Sequence, residues 1–192
     1  MSRLLLARAL FLLATLCLTS CGGSKQEFYR LSAATPANSG GGGERSVSLG
    51  VGPITLPGYI DRSELVFQSG PNEFQVPPNV SWTGSLQENI ASVLARDLRE
   101  QLGAREVLTY PWPSGRAPAQ RVALDVRQFH GISGSDAILD TAWRIEGANG
   151  SVLRRGSVNL REPIQGDGYS AVVAAESRLL ARCAAVIAEA LR

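Results

Sequence analysis

The stretch RVALDVRQFH, Arg121 to His130, decides the fold class. Val122, Leu124 and Val126 share one parity, and Asp125 and Arg127 share the other. That period of two suits a half-buried strand and not a helix. The run from Ala137 to Glu146 repeats it, with Leu139, Thr141, Trp143 and Ile145 on one side. Gly147-Ala148-Asn149-Gly150 then reads as a hairpin turn into a third strand, Ser151 to Leu160. Three consecutive strands joined by short turns predict an antiparallel meander.

Helical patterns flank the meander on both sides. Ser85-Leu86-Gln87-Glu88 has the capping-box form, in which the serine hydroxyl and the glutamate carboxylate satisfy exposed backbone donors. Leu86, Ile90, Val93, Leu94, Leu98 and Leu102 follow at helical spacing, and Gly103 supplies the stop. Glu88, Arg96, Arg99 and Glu100 form the opposite, solvated face. A second helix, from about Ser170 to Leu191, carries an apolar stripe through Val173, Leu179, Leu180, Cys183 and Ile187.

Short strands account for the rest. Phe28 to Leu31 reads as a brief strand, and Ser46 to Leu56 as a longer one whose parity changes at Gly52-Pro53, the mark of a bulge or bend. Leu56-Pro57-Gly58-Tyr59 has the composition of a type II turn, in which glycine takes a positive φ. Glu64 to Gln68 and Glu73 to Val76 form a hairpin through Ser69-Gly70-Pro71-Asn72, and Glu106 to Tyr110 adds a strand before a proline-punctuated loop around Trp112. The order predicts an α+β fold: a mainly antiparallel sheet with two helices packed on it, in a single compact domain.

The first residues describe export. Met1 to Arg8 is short and basic, and Ala9 to Leu18 is apolar apart from Thr15. These are the n-region and h-region of a secretory signal, too short to span a bilayer as a helix. Leu18-Thr19-Ser20-Cys21 resembles a bacterial lipobox, which is cut before the cysteine whose thiol is then acylated. Residues 1–20 are therefore read as signal peptide. Residues 21–45 are read as lipidated Cys21, tether and glycine-rich loop, and 46–192 as a periplasmic α+β domain. No aspartate follows Cys21, which points to the outer membrane. Once Cys17 leaves and Cys21 is acylated, Cys183 is a lone thiol on an apolar helical face, so the fold rests on its core rather than on disulfides.

Charge and chemistry narrow the function. Loss of Arg3 and Arg8 from 19 basic residues leaves 17, against 17 acidic, so the mature chain is near neutral and lacks the basic excess that grips nucleic acid. His130 is the only histidine. HGISGSD, His130 to Asp136, groups histidine, serine and aspartate, but as a strand connection rich in turn formers rather than a triad, and it lacks the G-x-S-x-G elbow. One histidine and one internal cysteine cannot build a zinc site. Asp125 and Asp140 could face each other across strands, as exposed acids of a sheet commonly do. The glycine run Gly40 to Gly43 is not followed by the Lys-Ser/Thr of a phosphate loop. The reading is of a protein with no enzymatic set, no metal and no cofactor beyond the covalent lipid on Cys21.

Tyr29-Arg30-Leu31, Val51-Gly52-Pro53-Ile54 and above all Leu56-Pro57-Gly58-Tyr59-Ile60-Asp61-Arg62 carry a family resemblance, extended by Asn79, Trp82 and the leucine-rich helix. The chain resembles the PqiC-like auxiliary lipoproteins of ABC-type transport, associated with MCE (mammalian cell entry) lipid-transport systems. The glycine run lengthens one loop relative to that pattern. The resemblance implies a lipoprotein anchored at the periplasmic face of the outer membrane. It would dock an MCE-domain protein, help move lipids or other hydrophobic molecules between membranes, and assemble as a ring. Pro57, Gly58, Tyr59, Asp61 and Arg62 are then the expected partner-binding residues. Asp61 and Arg62, neighbours that point to opposite faces if on a strand, should each have a separate partner. A structural envelope lipoprotein of outer-membrane assembly or polysaccharide export is the alternative reading, sharing the anchor but not the partner.

Overall fold

The computed structural model describes residues 25–34 and 48–192. The signal, Cys21 and the glycine-rich loop lie outside them. The chain orders β1 (Glu27–Tyr29), β2 (Leu49–Thr55), β3 (Phe67–Gly70), β4 (Glu73–Gln75), β5 (Val80–Trp82), α1 (Leu86–Leu102), β6 (Val107–Thr109), β7 (Gln120–Ile132), β8 (Asp136–Gly147), β9 (Val152–Pro163) and α2 (Gly168–Leu191). It is a single compact α+β domain whose sheet is mostly antiparallel.

The meander is the trunk. β7 pairs with β8 and β8 with β9 in long antiparallel ladders, closed at one end by the Gly147–Ser151 turn. On its other edge β7 is shared: its first half pairs in parallel with β2, which pairs in parallel with β6, and its last residues pair with β3, which hairpins to β4. These parallel contacts were not expected from the sequence. They arise because β2 and β7 are joined through α1, and a crossover helix returns the chain in the same direction. β1 and β5 form a separate parallel pair, and β5 has no counterpart in the sequence reading, since Val80-Ser81-Trp82 is too short to show alternation.

Both helices cover one face of the sheet, α1 over β2 and β6, α2 over β7, β8 and β9, with the helices against each other. Ser85 caps α1, its hydroxyl accepting from the Glu88 N–H at 3.4 Å. Gly103 ends the helix at φ 60°, and its N–H and that of Ala104 close on Glu100 and Arg99. Cys183 is fully buried in α2, and burial pushes its thiol up to about 12, the state of an inert packing residue.

Two departures from regular strands matter for the site. In β2 the register shifts between Val51 and Ile54, as the parity change predicted. In β7 it shifts between Val126 and Gln128, leaving Arg127 and Gln128 both exposed. An extra residue in one strand exchanges the two faces from that point on. Val122, Leu124 and Val126 face the helices, and beyond the bulge Phe129 and Gly131 do. His130 therefore turns to the opposite face, in line with its partner Ile138. Unbroken alternation from Val122 would have put His130 on the helix side.

Candidate functional site

The segment after β2 is a helical turn, not the type II turn that Pro57-Gly58 suggested. The Pro57 carbonyl accepts from the N–H groups of Ile60 at 3.1 Å and Asp61 at 3.2 Å, and Gly58 has no positive φ. Proline thus opens the turn from its carbonyl side. A Cβ on Gly58 would meet open space, so the glycine is required neither by backbone nor by packing.

Two residues fasten this corner to the domain. Ile60 is buried in the core. Tyr59 is half-buried, and its hydroxyl lies 2.8 Å from Nδ1 of His130. The Phe129 N–H donates to the same hydroxyl at 3.4 Å, so the phenolic hydrogen is directed to His130. Nδ1 then accepts and Nε2–H donates to the Gln68 Oε1 at 3.4 Å, while the Gln68 amide nitrogen donates to the carbonyls of Gly70 and Pro71. Every polar atom in this relay has a partner, in agreement with the cost of leaving a buried one unmade. Burial, followed by the charge of Arg161, lowers His130 to about 4, so the ring is neutral.

Phe74, on β4, completes the cluster, with ring centroids 5.1 Å from both Tyr59 and His130. It remains 45% exposed, beside exposed Val76. Nothing in the sequence marked Phe74, because only the hairpin between β3 and β4 brings it to the corner.

Asp61 and Arg62 both point to solvent. Arg62 pairs with Glu64 at 3.1 Å, whereas Asp61 has no salt bridge among the described residues. They are not paired with each other, as expected, but only Arg62 has a charged partner. The corner is therefore held from beneath by Tyr59 and Ile60, and it displays Gly58, Asp61, Arg62 and the edge of Phe74 outward.

The other sequence candidates do not converge. His130 bonds Tyr59 and Gln68, while Asp136 of HGISGSD sits 3.9 Å from Arg161. Asp125 stands opposite Ala142 and Asp140 opposite Gln128, and Arg127 bonds Asp140, so the two acids are not directly opposed as an acid pair. Among the described residues no group of three or more His, Cys, Asp or Glu side chains could hold a metal ion, and no helix is long and apolar enough to cross a membrane. A cleft of about 460 Å³ opens where the β7–β8 turn meets the start of α2, walled by Phe67, Ile132, Ile164, Tyr169 and Val172. A more polar one of about 490 Å³ lies between Arg30, Thr83, Glu88 and Tyr110.

One buried group stands apart. Glu176 of α2 is fully enclosed, and among the described residues its Oε2 has no hydrogen-bond partner. Burial raises it to about 8, so it is held as the neutral acid.

Residues 29–188 match the family model of the ABC-type transport auxiliary lipoprotein component. The chain is 22% identical over 182 residues to the intermembrane transport lipoprotein PqiC of Escherichia coli (strain K12), covering 94% of this chain and 95% of that protein. Two crystal structures share the fold. One, of an uncharacterized protein, superposes with a TM-score of 0.71 at 20% identity, covering 88% of this chain and 99% of the other. The second, of a protein from Xanthomonas campestris, gives 0.66 at 16% identity, covering 84% and 92%.

Proposed function

Because this chain belongs to the family of ABC-type transport auxiliary lipoprotein components, we propose that it is the outer-membrane, non-enzymatic docking component of an MCE-type transporter that moves lipids or other hydrophobic molecules between the two membranes. The observation that carries this reading is the extent of the match: residues 29–188 take in nearly the whole described fold. The lipobox at Cys21 supports the anchor. The neutral, fully bonded His130 supports a structural use for the residue that a hydrolase would need as its base.

The docking surface proposed is the corner of Pro57, Gly58, Tyr59, Asp61 and Arg62, to which Phe74 is added. A rigid aromatic edge beside two exposed charges has the make-up of an interface anchor with a polar rim. The experiment is co-purification of the full-length lipoprotein with a cognate MCE-domain protein from detergent-solubilised envelopes, together with separation of the two membranes. Recovery of the pair, with the lipoprotein in the outer-membrane fraction, is the expected result. Absence of the MCE protein from the purified lipoprotein would overturn the proposal.

A further inference from the structure

Phe28 is the most exposed of the large apolar side chains among the described residues, at 63%. It is not on a loose tail. The Glu27 N–H donates to Asn79 at 2.8 Å, the Thr83 N–H donates to the Tyr29 carbonyl at 2.9 Å, and the Gln26 side chain donates to Ser81 at 3.1 Å. β1 is thus clamped along β5, with Tyr29 packed edge-on to Tyr169 and Leu31 buried. The same strand that packs Tyr29 against Tyr169 holds Phe28 out into solvent.

Position along the chain says what covers it. Phe28 follows Cys21 by seven residues, which even fully extended span at most about 25 Å. With Cys21 acylated, Phe28 is therefore confined to the neighbourhood of the bilayer surface. Its exposed neighbours are Lys25 and Arg30, neither of which has an ion pair among the described residues, whereas the acid between them, Glu27, is engaged by the Tyr29 hydroxyl. An aromatic ring with a lysine three residues before it and an arginine two after it in the chain suits the headgroup layer, where the ring meets the top of the acyl chains and the cations meet phosphate.

We infer that the strip from Lys25 to Arg30 seats on the phospholipid headgroups of the membrane that holds Cys21, with Phe28 as its wedge. This rests on the acylation of Cys21. The lipid anchor supplies the affinity; the strip supplies an orientation, because a rigid strand fixes which end of the domain faces the bilayer. Tyr29 touches Tyr169 at the start of α2, and Tyr169 touches Phe67, the partner of Gly131 at the far end of β7. That end faces the membrane. The β8–β9 hairpin, with exposed Val152 and Leu153, lies beyond the other end of β7, twelve residues and about 40 Å away.

The test uses the full lipidated chain in vesicles of phosphatidylethanolamine and phosphatidylglycerol. Phe28→Cys and Leu153→Cys each carry a nitroxide; Cys183 is buried and Cys21 is acylated, so labelling is selective. The expected result is that the label at 28 is at least about fivefold less accessible than that at 153 to a water-soluble relaxant, and more accessible to oxygen, as burial at the acyl boundary requires. Equal water access at both positions, on protein that floats with the vesicles, would overturn the inference while leaving the anchor intact. Low access to both relaxants would overturn it too, since protein rather than lipid would then cover Phe28. Failure to float would remove the anchor and this inference together.

Discussion

The hydroxyl of Tyr59 and Nδ1 of His130 meet at 2.8 Å, joining the corner after β2 to the far end of β7. The Phe129 N–H and the Gln68 amide lie at the two ends of this relay and fix its direction. Tyr59→Phe keeps the ring and its packing on Phe74 but leaves Nδ1 without a donor. A loss of about 1–3 kcal/mol in urea unfolding is expected, the cost of an unmade buried hydrogen bond. An unchanged midpoint would show that water replaces the hydroxyl.

Acid should weaken this region. His130 is lowered from 6.5 to about 4 in the folded chain, so between those values the unfolded state takes up the proton more readily. The contribution is complete above pH 6.5 and is lost as pH falls towards 4. His130→Gln should flatten the acid limb of a stability-against-pH curve measured between pH 4 and 7.

Glu176 works in the opposite sense. Its acid is raised from 4.5 to about 8, so the folded state holds a proton that the unfolded state has released. Stability is greatest below pH 4.5 and declines as pH rises through about 8. Glu176→Gln removes the decline. The variant should gain on the parent by roughly 2–4 kcal/mol as pH is raised from 4.5 to 7.5, because holding one proton against each further pH unit costs about 1.4 kcal/mol. Parallel curves for the two proteins would refute the assignment.

Trp143 lies across Gly156, its partner on β9: a Cβ built on Gly156 would sit 2.5 Å from the indole ring. Gly156→Ala forces a rigid ring to move and should cost about 1–3 kcal/mol, the usual range for overpacking. A shift in tryptophan emission should accompany it.

Arg62→Ala distinguishes support from display at the corner. Among the described residues its only ion pair is with half-exposed Glu64, and Tyr59 and Ile60 hold the backbone, so thermal melting should be unchanged. Binding to the proposed MCE partner should fall if the corner is the docking surface. A lowered melting temperature would assign Arg62 to the fold instead.

What could be read from the sequence was whatever the chain states locally. The capped helix at Ser85 to Gly103 and the three strands of the meander fell within a residue or a few of their observed bounds, because period and punctuation lie in consecutive residues. The partners of β2, by contrast, are set by a crossover, and no residue in Leu49–Thr55 records that it lies beside Val122. The face of His130 could not be read for a subtler reason. Its face depends on the bulge at Arg127 and Gln128, two polar residues that look like ordinary strand alternation slightly out of step. Pro57-Gly58 shows the converse, a strong turn signal realised as a different turn because the following Ile60 is drawn into the core.

The bulge in β7 also gives the domain an uneven thickness. Before it, buried side chains fill the space under the helices and charged ones such as Asp125 and Arg127 lie open on the reverse. Beyond it, His130 is covered on the reverse as well, beneath Tyr59 and Phe74. The meander is backed on both sides at the His130 end, whereas towards the β8–β9 hairpin the reverse cover lies over β2, where Trp112 and Pro118 pack on Gly50. A pull from the proposed anchor at Cys21 would enter where β1 is tied to β5 and Tyr29 to Tyr169.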